Sequence, residues 1–233
     1  YVTTHDPGNN TWYYRWEWDE TWIFRTPYYS TVIWEPSIND VRQRMDNINT
    51  CWKFGKSSSI FIFSAKGLSS DYVNNFPIHF VDNRTDRLRL RYSFNVKQYA
   101  LSEEAYVFWR ELQKVTESLG TLFDPQPSIV RGNIWNTQDE REVVLGYFDA
   151  ASVSEKRIFI ASRDLPQTSY PNYYQACSDS VVDKSMIPVL MNFGFMLSHE
   201  TITPTGSTVY VMSMPNCIDC RLAGSNVQPD YWF

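Results

Sequence analysis

The sequence predicts a mainly β fold of the α+β class, an antiparallel sheet or barrel-like domain with one long amphipathic helix and long loops. Two stretches alternate apolar and polar residues with a period of two, which is typical of half-buried strands. A single stretch has helical spacing, and segments rich in Pro, Ser and Asn separate the elements. We therefore expect one β-rich domain over residues 1–233, with more strands than helices.

The first alternating stretch runs from Thr11 to Phe24. Aromatic side chains occupy almost every second position on one face, namely Trp12, Tyr14, Trp16, Trp18, Trp22 and Phe24. Glu20 interrupts this face, and three placements are open for it: the exposed end of the strand, a bulge, or a buried site with a partner. We favour the first two, because burying an unpaired charge costs several kcal/mol.

Shorter strands and a loop follow. The polar segment 36–50 predicts a loop or a short surface helix. Strands are predicted at 59–65 and 78–81, and a second clearly alternating strand at 88–98. In this last strand the apolar residues share one face, and Arg, Ser, Asn and Lys residues occupy the other.

The helix is predicted over residues 102–119. Ser102 suits the N-cap because its hydroxyl accepts from a free amide of the first turn, and Glu103 and Glu104 suit the positive end of the helix dipole. The apolar residues at helical spacing are Ala105, Phe108, Trp109, Leu112, Val115 and Leu119. Gly120 is well placed to end the helix. We expect the helix to lie against a sheet or to plug the end of a barrel.

The second half of the chain predicts further strands and a long loop. The strands are expected at 129–135, 143–149, 153–161 and 208–212. Residues 165–184 are rich in Pro, Ser, Asn and Tyr, and predict a long loop anchored by Cys177. Residues 187–197 are apolar but contain Pro188 and Gly194, which favours a short helix followed by a strand.

Composition and charge argue against several classes of partner. The net charge of -5 and the pI near 5.2 argue against a nucleic-acid-binding protein, which needs a basic surface to displace counterions from phosphates. They also argue against electrostatic binding to anionic lipid, and no apolar run approaches the roughly 20 residues of a membrane-spanning helix. Aromatic residues make up 16% of the chain. This fits either the preference of β-sheets for aromatics or a binding surface formed by Trp12, Trp16 or Trp18.

The four cysteines are Cys51, Cys177, Cys217 and Cys220, and the last two form a Cys-x-x-Cys pair after Pro215. Zinc is one interpretation of that spacing, but zinc ribbons usually combine two close pairs. A redox dithiol needs the pair at the start of a helix, which the surrounding Pro, Gly and Asn residues disfavour. We therefore favour structural disulfides, which are typical of an oxidising compartment. Four cysteines allow three connectivities, and we expect Cys217 and Cys220 to reach separately to Cys51 and Cys177.

No motif identifies a reaction. His5, His79 and His199 lack a convincing set of neighbouring ligands, and the chain has neither a Gly-x-Ser-x-Gly elbow nor a Gly-rich phosphate loop. A hydrolase built from two distant carboxylates stays open, but nothing in the sequence favours it. We expect no catalytic residue, no cofactor and no metal ligand.

Short segments spread over most of the chain carry a family resemblance. In chain order they are Asp6-Pro7, Tyr13-Tyr-Arg-Trp16, Tyr99-Ala-Leu-Ser-Glu-Glu-Ala-Tyr-x-Phe-Trp109, Phe123-Asp-Pro-Gln-Pro127, Gly132-Asn-Ile134, Gly146-Tyr147, Ala150-Ala-Ser-Val-x-Glu-Lys-Arg157, Cys217-x-Asp-Cys-Arg221, Gly224 and Pro229-Asp-Tyr-Trp232. Together they resemble the C-terminal region of a family of surface lipoproteins of the Bacteroidota outer membrane, a domain of unknown function. Their order is more specific than any single segment.

The resemblance implies an N-terminal lipidated cysteine and a β-sandwich domain outside this chain, which is then the C-terminal part of a larger lipoprotein. It also implies a partner, because members occur beside TonB-dependent outer-membrane transporters. We expect a non-enzymatic accessory subunit at the bacterial cell surface, associated with such an outer-membrane β-barrel protein and with other surface lipoproteins. It would assist substrate capture or complex assembly. The alternative is a stand-alone glycan- or ligand-binding module that uses exposed aromatics.

Overall fold

The structure, a computed structural model, describes residues 1–117, 129–139, 141–166 and 176–233. Within these ranges the chain forms twelve strands and two α-helices. The strands are β1 (Val2–His5), β2 (Tyr13–Arg25), β3 (Val32–Glu35), β4 (Asp40–Gln43), β5 (Thr50–Lys56), β6 (Phe61–Ser64), β7 (Tyr72–Phe76), β8 (Arg91–Leu101), β9 (Ser152–Ala161), β10 (Asp179–Val182), β11 (Met196–Ile202) and β12 (Thr208–Ser213). The helices are α1 (Glu103–Glu117) and α2 (Ile187–Asn192).

The strands form four sheets. One sheet has the order β5-β2-β8-β9 with β6 also paired to β2, another has the order β10-β12-β11, and β1-β7 and β3-β4 form two small sheets. β6 runs antiparallel to β2, with Phe61 opposite Trp16, and the pairs of the three smaller sheets are also antiparallel. The expected mainly β fold with antiparallel sheets is confirmed. Each strand order has two free ends, so no sheet closes within the described ranges, and the barrel-like alternative is wrong.

Helix α1 begins where the sequence predicted but is shorter than the long helix expected. The amide of Ala105 donates to Ser102 Oγ at 3.1 Å, so Ser102 caps the N-terminus. α1 extends for 15 residues to Glu117, and the predicted end at Leu119 and Gly120 lies outside the described residues. In the described part of the chain, no helix has the length and apolar character needed to cross a bilayer.

The chain divides into two compact units, and the first consists of residues 1–20, 56–80 and 94–158. Adjacent residues of a strand point to opposite faces, so the neighbours Tyr13 and Tyr14 of β2 belong to different hydrophobic clusters. One cluster contains the buried residues Tyr14, Trp16, Val73 and Ile78. The other contains the buried residues Tyr13, Leu101 and Ala105. The face of β2 that was expected to be polar is therefore partly covered as well.

The second unit consists of residues 21–55, 81–93 and 159–233. Its larger cluster joins the sheet β10-β12-β11 to α2 and β3. The buried members of this cluster are Val32, Ile187, Leu197, Tyr210 and Met212. A smaller cluster brings Phe24 of β2 against Cys51 and Cys220.

Two disulfides hold the tail of the second unit. Cys51 bonds to Cys220 and Cys177 bonds to Cys217, so each tail cysteine reaches a different distant cysteine. All four cysteines lie in the described ranges, and none of them is a free thiol. A zinc site and a redox dithiol both need thiolates, and the structure therefore excludes both interpretations of the Cys-x-x-Cys spacing.

Residues 36–50 and 78–81 differ from the prediction. Strands β3 and β4 form a hairpin in and beside the segment 36–50, where a loop or short helix was expected. Asn39 closes its turn with φ +52°, a conformation that Asn tolerates better than most residues. Residues 78–81 form no strand, because Ile78 is buried in a cluster and its carbonyl accepts from Trp18 Nε1 at 3.0 Å instead of from a neighbouring strand. The strand of this region is β7.

The first unit contains a buried carboxylate, that of Asp71, which contacts the N-terminal segment of the chain at Asp6. Asp71 is fully buried, and its Oδ2 accepts from the hydroxyl of Tyr14 and from the amide of Asp6, the latter at 3.0 Å. Asp71 Oδ1 has no hydrogen-bond partner within the described residues. The Tyr14 hydroxyl is therefore one of few groups that compensate this charge. Burial and the Asp71 carboxylate raise the pKa of Tyr14 far above its ordinary value.

Replacing Tyr14 by phenylalanine is expected to lower the free energy of unfolding by about 2 kcal/mol at pH 8, because a buried acceptor loses its donor. The raised pKa means that the bond stabilises the fold fully below about pH 10, the pKa of an unfolded tyrosine, and that this stability is lost as the pH rises through the higher folded-state value. Urea unfolding at pH 8 and pH 11 measures both effects. The difference between wild type and variant should shrink at pH 11.

The matched control is Tyr1→Phe, since Tyr1 is exposed. It should unfold at the wild-type urea concentration at both pH values. A Tyr14→Phe variant as stable as wild type at pH 8 would show that the hydroxyl does not hold Asp71.

Candidate functional site

Glu20 lies buried in the first unit, so the prediction of an exposed or bulged position is wrong. Its side chain is 2% exposed, and Oε2 lies 3.2 Å from Nε2 of His79. The His79 ring contacts two aromatic rings, with centroids 3.9 Å from Trp18 and 5.2 Å from Phe94. A partner 59 positions along the chain therefore satisfies the carboxylate.

The three candidate tryptophans do not form an exposed aromatic surface. Trp16 is 1% exposed, stacks on Phe76 at 4.9 Å and donates from Nε1 to Gln98 at 2.9 Å. Trp18 is half-buried and packs against the same cluster as Trp16. Trp12 is half-buried and packs against the cluster that includes α1. The Trp16 ring therefore belongs to a hydrophobic core, and the half-buried rings of Trp12 and Trp18 pack against cores.

Residues 129–139 and 141–150, here called the apolar loop, belong to the first unit. They form no strand, although two were predicted there. Two hydrogen bonds of the Asn133 side chain take the place of backbone pairing between strands. Nδ2 donates to the carbonyl of Phe148 at 2.7 Å, and Oδ1 accepts from the Phe148 amide at 2.8 Å. A Cβ on Gly132 would lie 1.6 Å from the carbonyl oxygen of Gly146, so only glycine fits there. These contacts hold the two arms of the loop together.

Helix α1 anchors the apolar loop, and six large apolar side chains of the loop stay exposed. The ring of Tyr147 stacks on Phe108 of α1 at a centroid distance of 4.8 Å. The exposed apolar side chains of the loop are Ile129, Ile134, Trp135, Val143, Leu145 and Phe148. Trp135 is 70% exposed and Phe148 is 77% exposed. Large apolar side chains concentrated in one segment, unlike single scattered ones, are typical of a binding surface.

The first unit also contains a charged cleft of about 370 Å³, lined by Glu17, Trp18, Asp19, Lys56, Ser57 and Lys97. Glu17 accepts from the guanidinium of Arg15 and from the hydroxyl of Tyr99, the latter at 2.8 Å. Arg15 lies 4.3 Å from the ring centroid of Tyr99 and 4.1 Å from that of Trp109. Burial alone raises the pKa of Glu17, but Arg15, Tyr99 and Lys97 hold it below its usual range. Glu17 is therefore ionised at neutral pH.

Asp19, the second carboxylate of the cleft, also has its own partners. Arg157 donates to Oδ1 at 2.8 Å, and the buried side chain of Asn95 donates to Oδ2 at 2.8 Å. The same Nδ2 of Asn95 donates to Glu155 at 2.6 Å. Since both acceptors are carboxylates, they fix the orientation of the amide.

The two lysines of the charged cleft have no such partners. Neither the Lys56 nor the Lys97 ammonium forms an ion pair with any of the described residues. Lys97 is near enough to Glu17 to lower the pKa of that carboxyl, but Glu17 already accepts from Arg15. The cleft therefore combines two carboxylates that have cationic partners with two ammonium groups that have none.

The sequence did not indicate the apolar loop as a site, and of the residues that line the charged cleft it indicated Trp18 alone. Residues 129–135 and 143–149 looked like strands, so the exposure of Trp135 was not expected. Asn95 and Lys97 lay on the polar face of a predicted strand, which was expected to face water. The only available signal was the mixture of both charge signs on alternating positions of β2 and β8.

Both surfaces lie within the part of the chain that matches a known family. The family model described as a domain of unknown function, DUF4249, matches residues 1–157. No curated protein and no solved structure matches the chain. Because the matched residues are more than half of the 233 in the sequence, the chain belongs to the DUF4249 family.

Proposed function

We propose that the chain is a non-enzymatic binding subunit of a larger assembly, and that the apolar loop contacts its partner. The observation that carries this proposal is the exposure of Trp135 and Phe148 on a backbone held by Asn133 and Gly132. Trp and Phe are enriched at the centres of protein interfaces. Their few rotatable bonds limit the conformational entropy that ordering them costs.

The partner that we propose is an outer-membrane β-barrel protein of the TonB-dependent transporter kind, together with other surface lipoproteins. The support is the resemblance to surface lipoproteins of the Bacteroidota outer membrane. A lipid anchor outside this chain would hold the subunit at the cell surface, where it assists substrate capture or assembly. Two disulfides in one chain suit such an oxidising location.

The Trp135→Ser, Phe148→Ser double variant is expected to lose the partner. Each aromatic anchor at an interface centre contributes about 2 kcal/mol or more, so the amount of barrel protein that co-purifies should fall at least about tenfold. The measurement is affinity purification of the tagged full-length protein from native membranes, with quantitative mass spectrometry of what accompanies it.

Phe193→Ser is the matched control, because Phe193 is 75% exposed but belongs to the second unit. This variant should retain the partner at the wild-type amount. If the double variant folds, as judged by its melting temperature, and still recovers the partner fully, the apolar loop is not the docking surface. If wild type itself recovers no barrel protein, the proposed partner is wrong.

The alternative function, a stand-alone glycan- or ligand-binding module, retains one of its candidate aromatics at a cleft, since Trp18 lines the charged cleft. Trp16 is buried, and Trp12 and Trp18 pack against cores. A ligand-binding role then depends on Trp18 and on polar groups, and the charged cleft is the place in the first unit where these converge.

A further inference from the structure

We propose that the charged cleft binds a small hydroxylated carboxylate, of the sugar-acid class. This inference goes beyond the docking role of the apolar loop and rests on different residues. The cleft lies in the first unit, and its volume of about 370 Å³ is near the lower end of the roughly 300–1,000 Å³ found for small-molecule sites. A molecule of monosaccharide size fits such a volume.

The charges of the cleft favour an anion. Glu17 pairs with Arg15, and Asp19 pairs with Arg157. Of the charged groups that line the cleft, the Lys56 and Lys97 ammoniums are the ones that form no ion pair with the described residues. Two positive charges beside a cleft attract an anion even though the whole chain carries a net charge of -5.

The two carboxylates decide which anion fits. Glu17 and Asp19 are 44% and 41% exposed, so each keeps oxygen lone pairs that face solvent. An ionised carboxylate only accepts hydrogen bonds, and ligand hydroxyls are donors that match it. The Lys56 and Lys97 ammoniums and the Ser57 hydroxyl supply donors for the carboxylate of the ligand.

A carboxylate suits the cleft better than a phosphate. A phosphate monoester carries a charge of about -1.5 to -2 at neutral pH, which roughly doubles both the attraction to the lysines and the repulsion by Glu17 and Asp19, and the phosphate group brings no row of hydroxyl donors for these two carboxylates. A sugar acid carries one charge on its carboxylate, and its ring hydroxyl groups donate to Glu17 and Asp19 and so offset the remaining repulsion. A neutral sugar has the hydroxyls but no partner for the lysines.

Isothermal titration calorimetry with four probes tests the assignment: glucuronate, glucose, propionate and inorganic phosphate. Glucuronate should bind saturably, and each of the other three probes at least tenfold more weakly. Glucose lacks the negative charge, propionate lacks the hydroxyl groups, and phosphate lacks both the ring hydroxyls and the single charge of a carboxylate. Lys97→Gln and Lys56→Gln should each weaken glucuronate binding at least tenfold. Lys66→Gln should bind as wild type does, since Lys66 pairs with Glu103 outside the cleft.

Three results would overturn the proposal. The first is the absence of saturable heat with glucuronate at millimolar concentrations. The second is wild-type affinity in a folded Lys97→Gln variant. The third is propionate or phosphate binding as tightly as glucuronate, which would leave the hydroxyls or the single charge without a role. The circular dichroism and melting temperature of each variant establish that it is folded.

Discussion

Removing the disulfide between Cys51 and Cys220, by changing both to alanine, is expected to lower the free energy of unfolding by about 5 kcal/mol. The bond closes a loop with a sequence separation of 169, and closing a long loop restricts the unfolded chain more than closing a short one. The same reasoning gives about 4 kcal/mol for the bond between Cys177 and Cys217, whose separation is 40. The first bond is also buried, in the cluster with Phe24.

Urea unfolding of the two double-alanine variants, followed by circular dichroism, measures both losses. The Cys177→Ala, Cys217→Ala variant serves as the matched comparison, because it removes the same chemistry from a shorter loop. Both variants should unfold at lower urea than wild type, with the Cys51→Ala, Cys220→Ala variant the less stable. The reverse order would show that strain or contacts of the folded state, rather than the length of the closed loop, set the contribution of these bonds.

The second large effect is expected at His79. The His79→Ala variant should lose about 3–5 kcal/mol of unfolding free energy, because it removes one partner from the buried Glu20 carboxylate. It also removes the ring contacts with Trp18 and Phe94. His79→Gln should recover part of the loss, since its amide can still donate to Glu20.

Thermal and urea unfolding at pH 7 measures these changes, with His5→Ala as the control because His5 is exposed on β1. The control should stay within about 0.5 kcal/mol of wild type. If His79→Ala is as mild as the control, other contacts of Glu20 are sufficient to hold its charge.

The period-two pattern predicted strands well but did not predict what covers them. The alternation of residues 11–24 and 88–98 correctly located β2 and β8. It assigned Asn95 to a solvated face, yet Asn95 is 1% exposed in the structure. Alternation shows which residues share a face. It carries no information on whether a helix, a loop or a neighbouring ion pair lies over that face.

Contacts between residues far apart in the sequence were the second feature that the sequence did not predict. Glu20 stands out as the polar residue on the aromatic face of β2, but nothing near it in the sequence indicates His79 as its partner. Their contact depends on how β2 meets an irregular segment near Ile78. The strands predicted in the apolar loop were wrong for a different reason. Residues 129–135 and 143–149 have strand-like composition, but the side chain of Asn133 takes the backbone hydrogen bonds of Phe148. The glycines at 132 and 146 were the signal that two backbones approach closely there.

The connectivity of the disulfides has a consequence for the order in which the chain acquires its bonds. During synthesis Cys51 emerges first and Cys220, its native partner, emerges last of the four cysteines. Until then, the only other cysteine thiols available to Cys51 are those of Cys177 and Cys217, which bond to each other in the native structure. An early bond from Cys51 is therefore a wrong one, and it must be exchanged by thiolate attack before the tail closes. The native bond of Cys51 waits for Cys220, so a product truncated before Cys220 has no route to that bond.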